Sequence, residues 1–242
     1  MKNILITGST RGIGKQIGID LLDKEYWVYF NGRSLESVKK LDEELHEHPY
    51  YNNNCNIIMQ DLSTLEGNYN LVDYFKNSEN HLDCIILNLG ITNRTPFKEL
   101  SYESWLKVID VNLNFPVILV KSLVDHIKDN GKIIFIGSIS GSFPDSVSVS
   151  YGVSKGSLEI LVKYLAKEFA PRGITVNCVA PGYVDTDWHE SKSPEQIERI
   201  KNKILLKRFA TTKEVSRACQ ILLENNYITG QTIHVDGGMG LI

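Results

Sequence analysis

Little in this sequence points to secretion, to a membrane or to nucleic acid. Its 242 residues hold four cysteines, and Cys55, Cys84, Cys178 and Cys219 show no CxxC spacing. Neither a zinc ligand set nor a redox dithiol is therefore supported. Cys84 and Cys178 fall in strand-like runs and read as buried, reduced thiols. The six histidines, at 46, 48, 81, 126, 189 and 234, likewise form no metal-ligand spacing, so no metal is expected. No apolar run is long enough to cross a bilayer. A formal net charge of −3 gives no basic footprint for nucleic acid. No Pro/Ser/Gly-rich linker and no internal repeat divides the chain, so one domain over 1–242 is expected. The first residues run straight into an apolar strand, so no secretory leader is expected and the cytoplasm is the expected location.

What is present is alternation. Strand-like apolar runs occur near 3–7, 26–31, 56–60, 83–88, 132–137, 174–180 and 231–235, and helical patterns near 12–23, 34–46, 67–78, 98–129, 151–170 and 212–224. Such alternation predicts an α/β doubly wound, Rossmann-type parallel sheet of about seven strands with helices on both faces. A hydrophobic content of 42% is enough for that core. Residues 50–56 (YYNNNCN) read as a polar surface loop. The segment 183–210 follows the sixth strand with a Pro-Gly turn and reads as a lid over a substrate. The helices near Trp105–Ile127 and Val153–Phe169 are apolar on nearly every face. One apolar stripe suffices for packing on a sheet, so the excess points to a subunit interface or to cover by other helices of the chain.

Chemistry gathers at two places. Gly8-Ser9-Thr10-Arg11-Gly12-Ile13-Gly14 follows the first strand and opens the first helix. Strand, glycine-rich turn and helix are the context of a dinucleotide motif, because glycine lets the backbone approach a pyrophosphate and the helix start attracts it. Tyr151 and Lys155 stand four residues apart in YGVSK, on one helix face. Ser138 lies at the tip of the strand-like KIIFIG run. Phenol, ammonium and hydroxyl gathered beyond the strand ends can move a proton to or from a carbonyl oxygen. A free phenol has a pKa of about 10, and a neighbouring ammonium favours the phenolate. Asn112 interrupts an apolar helix, and Pro116, four residues on, withdraws the N–H its carbonyl would use. The end of the second strand, Asn31-Gly32-Arg33-Ser34, has no acid for a ribose 2′-hydroxyl but has Arg33 for a 2′-phosphate, with Arg11 as a second cation. NADPH is the expected cofactor, and NADH the lesser one.

In order and spacing these features resemble the short-chain dehydrogenase/reductase superfamily, over essentially the whole chain. The turn is similar to the family's TGxxxGxG, and Ser138 with Tyr151-x-x-x-Lys155 to its catalytic motif. Pro181-Gly182 with Thr186 is similar to PGxxxT, and ITGQTIHVDGGM to the closing segment, most of all in 3-oxoacyl-[acyl-carrier-protein] reductases. The resemblance implies Tyr151 as acid/base, Lys155 on the nicotinamide ribose, Ser138 on the substrate oxygen, and Asn112 in a proton relay through a water. It implies Asp61 and Leu62 beside the adenine, and Val184 and Thr186 at the nicotinamide carboxamide. Asn88 and Gly90 would lie at the adenosine ribose, although Leu87 and Leu89 depart from the family's NNAG and Leu89 adds bulk. It further implies a homotetramer and a ketone substrate, possibly carried by an acidic acyl carrier protein. Arg172 stands where such reductases often carry a docking arginine, while Lys128-Asp129 replaces the more basic pair found there. A reductase of another ketone, a sugar or a specialised-pathway intermediate, and a non-catalytic dinucleotide sensor, are the alternatives. No nucleic-acid or membrane partner is expected.

Overall fold

The computed structural model describes residues 1–49, 51–78, 80–144, 148–190 and 192–241, without the side chains of 52, 53 and 189. Seven strands form one parallel sheet: β1 (Asn3–Ile6), β2 (Trp27–Gly32), β3 (Cys55–Met59), β4 (Leu82–Leu87), β5 (Ile127–Ile136), β6 (Thr175–Pro181) and β7 (Thr232–Val235). Their order is β3-β2-β1-β4-β5-β6-β7. The direction of strand addition reverses between β1 and β4, and in sheets of this kind the crevice beyond the strand ends at such a reversal is where ligands sit.

Nine α-helices join or flank the strands among the described residues: α1 (Gly12–Leu22), α2 (Leu35–Leu45), α3 (Tyr51–Asn54), α4 (Leu65–Lys76), α5 (Tyr102–Ile109), α6 (Phe115–Leu123), α7 (Val149–Phe169), α8 (Pro194–Asn202) and α9 (Thr212–Glu224). Side chains alternate across the sheet, so consecutive residues of β1 serve opposite cores. Leu5 packs with Phe75, Leu119, Phe135 and Leu158 under α4, α6 and α7. Ile4 and Ile6 pack with Ile17, Phe30, Leu41 and Leu222 under α1, α2 and α9. Each such fully buried side chain contributes about 1.5–3 kcal/mol. Gly18 is required for this packing: a Cβ there would lie 2.0 Å from the Phe30 ring.

Two segments differ from the pattern read in the sequence. Tyr50 lies outside the described residues, but the rest of the expected 50–56 loop is ordered structure. Tyr51–Asn54 make a helical turn, and Cys55 and Asn56 already pair with Val28 and Tyr29. The strand is recruited by β2 despite its polar composition, a tertiary effect that local propensity does not contain. The single helix expected over 98–129 is broken. α5 runs into a π-helical turn at Asp110–Asn114, where the Phe115 N–H reaches Asp110 O, and then into α6. Pro116 supplies no N–H, and the ladder shifts by one residue just before it. Residues from Ile127 onward belong to β5, whose register against β4 shifts between Leu82 and Cys84.

The segment 183–210 is tied at both ends to one point. Val184 bridges Ala210 in parallel, Asp185 N donates to Ala210 O (2.8 Å) and Ala210 N to Tyr183 O (2.9 Å). Tyr183 and Phe209 stack at 5.5 Å beside the bridge. Among the described residues no helix is long and apolar enough to cross a membrane.

Candidate active site

Gly8 and Gly12 both have positive φ, +58° and +56°, conformations that side chains resist. The turn they make is fastened from three strands. Gly8 N donates to Asn31 Oδ1 (3.1 Å), and Asn88 Nδ2 donates to Thr7 O and Gly8 O (3.1 and 2.8 Å). Ser9 Oγ donates to Ile6 O and accepts from Asn31 N. Asn31 also donates to Ile58 O and Gln60 O, so this one buried amide joins β1, β2 and β3. Gly14 closes the helix onto the turn, because a Cβ there would lie 2.5 Å from Asn88 Nδ2. Leu89 lies against Gly8, where a Cβ would meet it at 3.1 Å.

The turn fits the pyrophosphate of a dinucleotide. α2, α4, α5, α7, α8 and α9 each have a Ser or Thr side chain accepting from the first turn, whereas Arg11 caps α1 without a side-chain hydrogen bond. The first N–H groups of α1 are thus left for an anion. Gly12 faces Thr186, whose methyl would be 3.7 Å from a Cβ placed there. The PGxxxT stretch therefore roofs the glycine turn. Its start is fixed by Gly182 N donating to Val235 O (3.0 Å).

The expected cofactor residues differ in how free their side chains are. Arg11 and Arg33 are exposed and form no ion pair or hydrogen bond among the described residues. Thr10 meets Gly32 at the tip of β2, where a Cβ would be 2.6 Å from its methyl. Ile13 is half-buried at the start of α1. Ser34 is occupied as the cap of α2, in a reciprocal box with Ser37. Asp61 Oδ1 accepts from Ser63 N and Oγ (3.0 and 2.7 Å), and Leu62 is buried.

Across the crevice, Ser138 follows β5 and Tyr151 lies in the first turn of α7. Burial pushes the Tyr151 phenol's pKa up, and the Ser138 side chain pulls it the other way by less. Lys155 Nζ lies 5.9 Å from the Tyr151 ring and donates to Ile136 O at 2.7 Å. Burial holds this ammonium down at about 8, with Cys178 opposing. The net direction at Tyr151 is upward, so burial holds the neutral phenol. Gly90 leaves room around the amine, since a Cβ would be 3.2 Å from Lys155 Nζ and 3.5 Å from Asn112 Oδ1. Asn112 is 1% exposed and fully engaged. Its Oδ1 accepts from Ile91 N (2.8 Å), and its Nδ2 donates to Ile91 O (2.9 Å) and Ser154 Oγ (3.0 Å). It thereby clamps the loop after β4 to α7.

The sequence profile of a family described as Enoyl-(Acyl carrier protein) reductase matches residues 8–240. The 3-oxoacyl-[acyl-carrier-protein] reductases of Aquifex aeolicus and Rickettsia prowazekii are each 36% identical over 245 residues, the first over 97% of this chain and 96% of its own, the second over 100% and 98%. A short-chain dehydrogenase/reductase of Serratia marcescens superposes with a TM-score of 0.90 at 25% identity, covering 98% of this chain and 97% of that one. This chain belongs to the short-chain dehydrogenase/reductase family.

As an oxidoreductase of that family the chain has its reductase motifs on the two sides of one crevice. Three residues that support this arrangement escaped the sequence reading. Thr7 Oγ1 accepts from Asn88 N and Leu89 N, Asn31 joins three strands, and Ser154 Oγ donates to Tyr151 O while accepting from Asn112. The signal for Asn31 was legible: an amide inside an apolar strand must find partners. Ser154 lies inside YGVSK but carries no local signal of its own.

Proposed function

We propose that this protein is an NADPH-dependent ketoreductase acting on 3-oxoacyl thioesters, in the manner named by its 3-oxoacyl-[acyl-carrier-protein] reductase relatives. The observation that carries the reading is the union of Ser138, Tyr151 and Lys155 at the tip of β5, across from an uncapped helix start. The dinucleotide, when bound, supplies a hydride to the carbonyl carbon. Ser138 holds the carbonyl oxygen by its hydroxyl. Tyr151, kept neutral by burial, gives its proton to that oxygen as charge develops. Lys155 lies beside the ring and would hold the ribose, and Asn112 fixes the loop that carries Gly90 next to the amine. The pyrophosphate would be held by residues 8–14, and a 2′-phosphate by Arg33 and Arg11. Segment 183–210 serves as lid, an assignment favoured by its two ends meeting at one bridge. Exposed apolar faces on α7 (Ile160, Tyr164), and the open groove of Leu113, Phe115, Val117 and Ile118, favour a homotetramer.

The test follows nicotinamide absorbance with an acetoacetyl thioester and either dinucleotide. Oxidation of NADPH in preference to NADH is expected. Tight NADPH binding without turnover would shift the assignment to another ketone or to a sensor.

Lys155 gives a second prediction. Its folded-state pKa lies near 8, below the ordinary 10.5. The buried cation therefore costs stability while both states are protonated, and that cost fades as pH rises from about 8 to 10.5. At pH 7 the penalty is of order 3 kcal/mol. Lys155→Met is expected to lose turnover yet melt a few degrees higher at pH 7, with the gap to the parent closing at pH 10. Differential scanning fluorimetry checks it, and an equal or lower melting point at pH 7 would contradict the buried charge.

A further inference from the structure

The stretch Arg199–Arg208, RIKNKILLKR, carries five cations and no carboxylate. It forms the last turn of α8 and the chain beyond. Ile200 and Ile204 are buried beneath it, while Leu205 and Leu206 stand 52% and 63% exposed among the cations. Leu206 N donates to Gly237 O (3.2 Å), and a Cβ on Gly238 would meet Leu205 at 2.6 Å. The leucines thus sit against the turn that follows β7, on the rim of the crevice, within the segment whose other end is Thr186 over the glycine turn. Two adjacent exposed leucines within a run of cations are the composition of a contact surface: an apolar centre with a steering rim.

The arginine expected from the resemblance to serve this purpose is occupied elsewhere. Arg172 donates through Nε to Asp129 Oδ1 (2.9 Å), through one terminal nitrogen to Val124 O (2.8 Å), and through the other to Ile127 O. It is a brace between the end of α7 and the start of β5. Lys128 is paired with Asp83 at 2.9 Å. On the rim, by contrast, Arg208 is held by Glu214, but Arg199 and Lys201 form no ion pair among the described residues.

We propose that the Arg199–Arg208 rim, tipped by Leu205 and Leu206, is the docking surface for an acidic protein that delivers the substrate. The inference rests on the carrier-borne thioester reading and names where that carrier lands. An acidic partner is complementary to this run of cations, with Arg199 and Lys201 available to it, and its tethered acyl group enters the crevice directly beside them.

The experiment compares two substrates on the full chain: acetoacetyl carried by a holo acyl carrier protein, and acetoacetyl on N-acetylcysteamine. In R199E/K201E the KM for the carrier-borne substrate is expected to rise roughly tenfold and to lose its dependence on ionic strength. The kcat and the KM for the small thioester should stay unchanged, as should NADPH affinity. Leu206→Ser should raise the carrier-borne KM at all salt concentrations. Both substrates responding alike, or neither, would overturn the proposal. So would an altered particle mass by light scattering, which would assign the rim to contact between copies of this chain. Calorimetric titration of the carrier protein separates the two readings. If neither thioester is reduced but the carrier binds the parent and not R199E/K201E, the surface stands and the thioester reading falls. If the parent does not bind the carrier, the surface falls.

Discussion

Tyr151→Phe is expected to lower reductase turnover by about 10²–10⁴-fold, the usual contribution of a positioned general acid. The substitution removes one oxygen and keeps the ring, so α7 and its contact with Lys155 remain. NADPH affinity should be unchanged, because residues 8–14, with Arg11 at the cap of α1, and Arg33 after β2 lie across the crevice. Burial sets the direction of the pH dependence. The phenol's pKa is pushed above its ordinary value, with Ser138 pulling the other way. The protonated form, needed to donate, is therefore present throughout the neutral range and is lost only at strongly alkaline pH. Reduction should be flat through neutrality, whereas oxidation of the product alcohol, which needs the phenolate, should climb with pH. Initial rates in both directions for parent and variant check both statements. Turnover within about tenfold of the parent would place the proton on another group.

Arg33→Asp is expected to reverse the dinucleotide preference. Arg33 is exposed at the tip of β2 and forms no ion pair among the described residues, and Thr10 packs at the same tip against Gly32. A charge-assisted hydrogen bond to a phosphate is worth about 1.5–3 kcal/mol, so its loss should raise the KM for NADPH by about 10–100-fold. Replacing it by a carboxylate adds repulsion against the 2′-phosphate and an acceptor for a 2′-hydroxyl, so the KM for NADH should fall. Arg11 remains as the second cation, and R11A/R33D should exceed the single change. Equal effects on both dinucleotides would indicate damage to the turn and not loss of a phosphate contact.

The doubly wound sheet was legible because parallel strands buried on both faces are written as continuous apolar runs, and five of the six expected helices were marked by their apolar pattern. The glycine turn and the Ser138, Tyr151, Lys155 spacing were legible because each needs particular residues at particular separations. What stayed hidden depends on contacts between distant parts of the chain. Asn112 was read through its carbonyl and the missing N–H of Pro116, but its side chain is a clamp on Ile91, a contact across 21 positions. The polar residues at the start of β3 became strand because β2 presented an edge to pair with. Arg172 stands where the resemblance implies a docking arginine, but its side chain is bonded to Asp129, Val124 and Ile127 in the neighbouring connection. His189 has its side chain outside the described residues.

The order of the strands also sets a timetable for synthesis. β1, β2 and β3, which carry the glycine turn and its fastening amide, are all present once Met59 has been made. Ser138, Tyr151 and Lys155 follow. β6 ends at Pro181, every one of its residues buried in the finished protein, yet its neighbour β7 begins only at Thr232. At a translation rate of 5–20 residues per second, that apolar border stays open for roughly 3–10 s on the ribosome. During those seconds the nascent chain offers its stickiest edge to other chains, and it is then that a chaperone has most to cover.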